Sequence, residues 1–403
     1  MASLDDILRL DELRLDSQRV LIRADLDVPL DDAGDQVLDD RLLRAVLPTI
    51  EFAREAGARV IVAGHRGRPA GKHKDSLSLE PVGAHLADLA QCDVLLPDDC
   101  VGEAAKKVVG NLRAGQICLL ENLRFHAGEE SNQDSFAARL ADLCDVYVND
   151  APSLAHHQSA SLVALPHQVR NRGCGRFLEA ELSGAGRLGR TAERPYVVVL
   201  GGNRMPDRLG ELELLAQRAD TLCVGGAVAN TLLASRGVAL GSSDFEQAHL
   251  AESRSLLDRL RGQGARLLLP VDAEVAATEE SPETATRRLD AISGGERVLD
   301  IGPETAAAFS AAVTSAKTAL LLGPLGRCEY APFTAGTQAV GRALAECPGF
   351  TAVVGSTTSE AVRGLGPEMS ERIDFVSAIP SLVGRLLRDS RLPALDALRT
   401  PGQ

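Results

Sequence analysis

The chain reads as an α/β protein of two doubly wound parallel-sheet domains joined by a hinge helix. Three observations predict this. Its 403 residues exceed one ordinary core, at roughly 150 residues per domain. Short apolar runs without polar alternation, the mark of strands buried on both faces, recur along it. Between them lie amphipathic helical stretches, so strands and helices alternate as parallel sheets require.

The first strand, Val20-Leu-Ile-Arg-Ala-Asp-Leu-Asp-Val-Pro-Leu30, starts apolar, then sets Arg23, Asp25 and Asp27 on one side until Pro29 ends it. Carboxylates so placed either hold ligand hydroxyls or face solvent. From Asp39 to Arg54 the apolar residues fall near helical spacing, and Gly57 closes the helix. A second strand, Ala58 to Ala63, runs into Gly64-His-Arg-Gly-Arg-Pro69, a basic loop that fits a phosphate or carboxylate but also has the form of a solvated turn. A helix from Ser78 to Leu89, with Pro81 near its first turn, leads to a strand from Asp93 to Pro97. The apolar run Gln116 to Leu120 is followed by Asn122, Arg124 and His126, at the strand end where open α/β sheets place ligands. A helix from Asp134 to Leu143 and a strand at Val146-Tyr-Val148 lead into a polar loop, Asn149 to Ser161. Four strands thus end in cationic or polar clusters, which together suggest a basic floor for an anion. His156 and His157 have no third ligand at helical or turn spacing, so no metal is assigned to them.

The pattern changes between Gly173 and Arg190, where Gly175 to Leu188 reads as a helix linking two halves, followed by the polar linker Thr191-Ala-Glu-Arg-Pro195. Tyr196 to Leu200 starts a second set of buried strands. It opens into Gly201-Gly-Asn-Arg-Met-Pro-Asp-Arg208, where glycine admits close backbone approach and a helix start attracts anions. Thr221 to Val224 with Gly225, Leu267 to Asp272, Ala319 to Leu322 with Gly323, and Ala352 to Val354 with Gly355 continue as a second parallel sheet with a ligand edge. Such turns alone leave a nucleotide and another ligand equally open.

A formal charge of -13 argues against nucleic-acid and anionic-membrane partners, which need a net basic face. Aromatics make up 3% with no Trp, so packing is aliphatic. Eight scattered cysteines show no zinc spacing and fit a reducing cytosol. The N-terminus has no export pattern, and no run approaches about 18 apolar residues. The expectation is a soluble, cytoplasmic monomer.

The segments Arg23-x-Asp25-x-Asp27-Val-Pro29, Gly64-His-x-Gly-Arg-Pro69, Ser78-Leu-Glu-Pro-Val82, Glu121-Asn-Leu-Arg-Phe-His126, Tyr147-Val-Asn-Asp150 with Ala155-His156, Leu268-Leu-Pro-Val-Asp272, Leu299-Asp-Ile-Gly-Pro303 and Gly323-Pro-x-Gly326 occur in this order. Together they resemble the phosphoglycerate kinase family over nearly the whole chain. The resemblance implies a 3-phosphoglycerate-binding domain over 1–173, an interdomain helix over 174–190, and a nucleotide-binding domain over 191–388. It further implies a return of 389–403 to the first domain, hinge closure, and Mg2+ with ATP or ADP as cofactor if the chain is active, otherwise none. By resemblance Asp25 and Asp27 hold the glycerate hydroxyl side, and His65, Arg68 and Arg124 its anionic groups. Gly201, Gly202, Arg208, Gly225, Gly323, Glu329, Gly355, Ser356, Thr357 and Thr358 fall on the nucleotide side. No metal ligand is assigned.

The departures fall on positions this chemistry leans upon. Leu42 stands where the family places a substrate-binding Arg, and Arg41, the nearest candidate for its role, points about 100° away around the helix. His157 replaces another family Arg, and Ser159 a His. Arg204, the remaining catalytic candidate, and Arg208 replace two lysines, exchanging a compact ammonium for a planar fork. Leu322 replaces an Asn, Thr357 the metal-linked Asp, and Ile379-Pro-Ser381 a triple glycine. The reading is a phosphoglycerate kinase homologue, reversible between 1,3-bisphosphoglycerate and ADP in the family, with activity weak or lost. The alternatives are an active kinase with rearranged contacts, or a non-catalytic binding or scaffold protein for a small phosphorylated acid.

Overall fold

In the computed structural model, which describes residues 4, 6–202, 204–261, 264–377 and 379–399, the chain divides into two compact units, Met1–Gly186 with Asp389–Gln403, and Arg187–Arg388. The first unit's strands are β1 (Arg19–Ala24), β2 (Arg59–Ala63), β3 (Val94–Leu95), β4 (Ile117–Leu119), β5 (Val146–Asp150) and β6 (Asn171–Cys174). They form one parallel sheet in the order β3-β4-β2-β1-β5-β6. Its helices are α1 (Arg41–Glu55), α2 (Glu80–Ala90), α3 (Glu103–Asn111), α4 (Ala127–Glu130), α5 (Asp134–Ala141), α6 (Ala164–Gln168) and α7 (Arg176–Gly186). Val20, Ile22, Val60 and Val62 pack with Leu43, Val46 and Ile50 of α1 and Leu86 of α2 in one core, and the intervening Leu21 and Ile61 are buried on the opposite face, which is why the apolar strands carry no polar alternation.

Two details of this unit differ from the sequence expectation. The strand expected over 93–97 is reduced to Val94–Leu95 at the sheet edge, and β6 had no apolar run to reveal it. The predicted linking helix is α7, which packs on α1 of the first unit. Arg176 stacks over the Phe52 ring at 4.4 Å, and the Arg176 amide donates to Thr49 Oγ1 at 2.9 Å.

In the second unit, β7 (Tyr196–Leu200), β8 (Thr221–Val224) and β9 (Arg266–Leu268) are followed by β10 (Asp272–Ala276), β11 (Ala285–Arg288) and β12 (Arg297–Ile301), then β13 (Thr318–Leu322), β14 (Phe350–Val354) and β15 (Phe375–Ser377). Six are parallel, in the order β15-β14-β13-β7-β8-β9. The run expected as one strand over 267–272 splits: Pro270 lies between β9 and β10, and β10 pairs antiparallel with β11 and β12 in a separate three-stranded sheet. The helices are α8 (Met205–Ala216), α9 (Gly226–Ser235), α10 (Leu250–Arg261), α11 (Pro303–Thr314), α12 (Ala335–Glu346), α13 (Ser356–Arg363), α14 (Pro367–Ser370) and α15 (Pro380–Leu387).

The chain then re-enters the first unit. In α16 (Pro393–Asp396) the Ala394 amide donates to Ala155 O at 3.2 Å, and Ala394 packs with Ala151, Leu154 and Leu162. Residues 400–403 of the segment expected to return lie outside the described residues. All eight cysteines are free, and among the described residues no helix is long and apolar enough to cross a membrane.

Candidate functional site

Four loops follow the adjacent strands β4, β2, β1 and β5 and meet at one sheet edge, because parallel neighbours discharge their chains on the same side. Much of the motif content there holds the loops together. Glu121 accepts from Ser78 Oγ at 2.7 Å and the Leu79 amide at 2.8 Å, tying down the turn that leads into α2. Buried Asn122 donates to Arg66 O at 2.8 Å and Leu77 O at 2.9 Å and accepts the Arg124 amide at 3.1 Å. His126 meets Asp99 at 2.6 Å.

The cations are set at different depths. Arg23 is buried, donating from Nε to Ser161 Oγ at 2.9 Å. That hydroxyl donates to buried Glu129 at 2.6 Å. Arg23 Nη2 lies 3.1 Å from His65 Nδ1. Burial, then the fields of Arg23, Arg124 and His157, hold His65 down to about 2, so its ring is neutral, accepts from Arg23 through Nδ1, and carries its proton on Nε2. The 4.0 Å approach of Nε2 to Asp27 is therefore not an ion pair. Arg124 donates to Gly67 O at 3.0 Å and stands 3.7 Å from Glu130. Arg68 is exposed and has no hydrogen bond or ion pair among the described residues. His157 is exposed with its ring centroid 4.3 Å from that of His156.

Arg23, Asp25 and Asp27 do not share a solvent face. The regular strand ends at Ala24, so alternation no longer governs the residues beyond it. Asp25 turns inward and accepts the Ser153 amide at 2.9 Å; burial raises its pKa. Asp27 turns outward and accepts the Gly67 amide at 2.8 Å. Arg41 is tied to Asp39, with Nε 2.9 and 3.0 Å from its two oxygens and Nη2 at 2.5 Å. Leu42 packs against the first unit's core. The Arg23–Ser161–Glu129 relay went unread because a lone buried acid leaves no periodic signal in sequence.

In the second unit the loops after the adjacent strands β14, β13, β7 and β8 converge in the same way. Their glycines serve loop-to-loop packing first. A Cβ on Gly201 would enter the Pro324 carbonyl, one on Gly225 would lie 2.7 Å from Leu325, and one on Gly226 2.7 Å from Gly202 O. Gly202 and Gly323 have φ of +118° and +86°, which favours glycine. Across them lies Arg208, its Nη2 3.4 Å from where a Gly202 Cβ would stand and 3.0 Å from a Gly323 Cβ. Arg208 Nη1 pairs with Glu211 at 2.5 Å. Arg204 is exposed at the N-cap of α8. Buried Leu322 ends β13.

A cavity of about 180 Å³ adjoins these loops, its lining including Arg208, Asn230, Asp244, Leu325, Glu329 and Thr357. Glu329 is exposed on a turn. Gly355 (φ +119°) starts α13 with exposed Ser356 and half-buried Thr357. Thr358 is buried 3.2 Å from a Gly355 Cβ position, and its hydroxyl has no partner among the described residues. The lining carboxylates are largely committed. Asp272 accepts the Glu304 and Thr305 amides at 2.9 Å each, and Asp300 accepts the Gly336 and Ile301 amides at 2.8 Å each. Burial lifts Asp300 to about 7. Asp244 takes Arg297 at 2.7 Å and Arg327 at 2.6 Å.

Residues 10–379 match the family model described as phosphoglycerate kinase. The phosphoglycerate kinase of Anaeromyxobacter sp. (strain Fw109-5) is 42% identical over 362 residues, 89% of this chain and 91% of that one. That of Salinispora tropica is 40% identical over 404 residues, 99% of each chain. The structure of phosphoglycerate kinase from Coxiella burnetii superposes with a TM-score of 0.85 at 31% identity, covering 97% of this chain and 98% of that one.

Proposed function

The chain belongs to the phosphoglycerate kinase family, and on that footing we propose that it keeps a first-unit site for a small phosphorylated acid while phosphoryl exchange with a nucleotide is weak or lost. The carrying observation is Arg208, whose guanidinium, neutralised by Glu211, lies across Gly202 and Gly323. Polyphosphate would otherwise meet open backbone and an unpaired cation there.

Magnesium fits the second unit poorly. Of the four carboxylates lining the cavity, Asp272 and Asp300 cap backbone amides and Asp244 is taken by two arginines, which leaves exposed Glu329 as the single uncommitted one, while Thr357 offers only a hydroxyl. Hard divalent ions need carboxylate oxygens beyond those of the phosphates. Leu42 packed against the core and Arg41 bound to Asp39 remove a further cation from the first-unit edge. Removal of a single transition-state donor costs about 3 kcal/mol, roughly a hundredfold in rate.

What supports acid binding is the exposed, unpaired Arg68, which follows the Gly67 carbonyl held by Arg124, with neutral His65 as an Nε2–H donor. Arginine forks suit carboxylate and phosphate oxygens. The cavity beside Gly226 favours a second reading, an active kinase with rearranged contacts in which Arg204 meets the transferred group. Thermal-shift titration separates the two. The expected result is a higher unfolding midpoint with 3-phosphoglycerate and none with MgADP. Tight magnesium-dependent ADP binding, or turnover abolished by Arg204→Ala, would overturn the first reading.

A further inference from the structure

Two neighbouring loops of the first unit bring together side chains of metal-binding type. Asp99 and Cys100 lie between β3 and α3, and His126 follows β4; these strands pair in parallel, so their trailing loops leave the sheet side by side. One oxygen of Asp99, the Cys100 Sγ and one ring nitrogen of His126 all lie within 4.8 Å of one another. Among the described residues no other group of three such side chains gathers this closely.

We propose that Asp99, Cys100 and His126 bind a divalent transition-metal ion of the zinc class. The donor set selects the ion: thiolate and imidazole suit zinc-like cations, whereas magnesium and calcium take oxygen ligands. Tetrahedral zinc at about 2.3 Å from the sulfur and about 2.0 Å from oxygen and nitrogen sets the ligand atoms roughly 3.3–3.5 Å apart. No pair lies more than 4.8 Å apart, so none closes by more than about 1.3 Å to reach that geometry, and the 2.6 Å contact between Asp99 and His126 opens by about 0.7 Å. The frame is otherwise fixed. Cys100 is fully buried, Asp99 already accepts the Cys100 amide at 2.7 Å, and the His126 ring lies 5.3 Å from that of Phe136.

The side chains of Asp99 and His126 are 41% and 27% exposed, so the fourth position opens to solvent and takes water. Binding replaces the Cys100 S–H bond with a sulfur–metal bond, the thiol proton going to solvent, while the neutral His126 ring shifts its proton from Nε2 to Nδ1 as Nε2 turns from Asp99 to the metal. Sequence spacing misses such a site. Two ligands are adjacent and the third comes from another strand's loop, unlike the short repeats of zinc fingers.

Cobalt(II) titration of the full-length, chelator-stripped protein tests this. The expected result is one equivalent bound, with tetrahedral visible bands and a near-ultraviolet sulfur-to-cobalt band that disappears in Cys100→Ser. Asp99→Asn and His126→Gln should each weaken zinc at least about tenfold in competition with a chromogenic chelator. Absence of the sulfur-to-cobalt band overturns the site, as does its survival in Cys100→Ser, which would move the metal to the partly exposed thiols of Cys92, Cys328 or Cys347. Should Cys100→Ser fail to fold, the zinc-induced rise in unfolding midpoint replaces it as the readout. It should vanish in His126→Gln, and an equal rise in both proteins overturns the proposal.

Discussion

Arg208 Nη1 stands 2.5 Å from Glu211 Oε2 with less than a fifth of either side chain exposed. Helix α8 thus carries its own counter-ion for the cation that faces Gly202 and Gly323. Glu211 is also 3.7 Å from Arg388, so one carboxylate answers two guanidinium groups. A ligand phosphate must compete with it.

Glu211→Gln should therefore release both arginines. Inorganic tripolyphosphate, expected to leave the wild-type unfolding midpoint unchanged, should raise that of the variant, while the variant alone loses about 1–3 kcal/mol with its half-buried pair broken. No phosphate response in Glu211→Gln would mean that Arg208 obstructs sterically and not through neutralisation.

His65 sets a pH dependence whose sign comes from its depressed pKa. Folded, the ring resists protonation down to about 2; unfolded, it protonates near 6.5. Acidification from about 6.5 towards 2 thus favours the unfolded chain, and at pH 5 this residue alone removes about 2 kcal/mol. Buried Asp150 and Asp300, both lifted to about 7, act oppositely, losing stability as pH rises from the usual carboxylate range towards 7. Urea unfolding of wild type and His65→Gln at pH 7 and pH 5 isolates the histidine. The difference between the proteins should shift by about 2 kcal/mol in favour of the variant at pH 5.

Arg68 offers a separation of binding from stability. Being exposed and without a partner among the described residues, it should tolerate Arg68→Ala within about 0.5 kcal/mol. Loss of a charge-assisted contact should nonetheless weaken 3-phosphoglycerate about tenfold or more. Calorimetry giving equal affinity for both proteins would remove Arg68 from the site.

Gly201→Ala probes the second unit's loop packing. The new methyl would enter the Pro324 carbonyl, where backbone and not a pliable side chain must yield. Denaturant titration should register a loss on the order of 3 kcal/mol. A near-neutral change would imply that the loop after β13 shifts easily.

The sequence determined the scaffold and the sheet edges where its loops gather. Apolar runs such as Val20 to Ile22 and Tyr196 to Leu200 carry burial on both faces in their composition, and the motifs next to them mark where the loops converge. Local patterns hold this information because strand burial and glycine turns depend on neighbours along the chain. Periodicity failed where regular structure stops or backbone pairing changes. Past Ala24 it could not say that Asp25 turns in and Asp27 out, and at Pro270 it did not separate β9 from the antiparallel β10.

Tertiary structure alone decided which charges find each other. Arg23 reaches Glu129 through Ser161, 138 residues along the chain, Arg41 spends its fork on Asp39, and Arg208 is claimed by Glu211 before any anion arrives. Asp99 and Cys100 meet His126 only because β3 and β4 are neighbours. Charge chemistry depends on separations of a few ångströms and on burial, and both are set by strand order and loop convergence, which residue spacing does not encode.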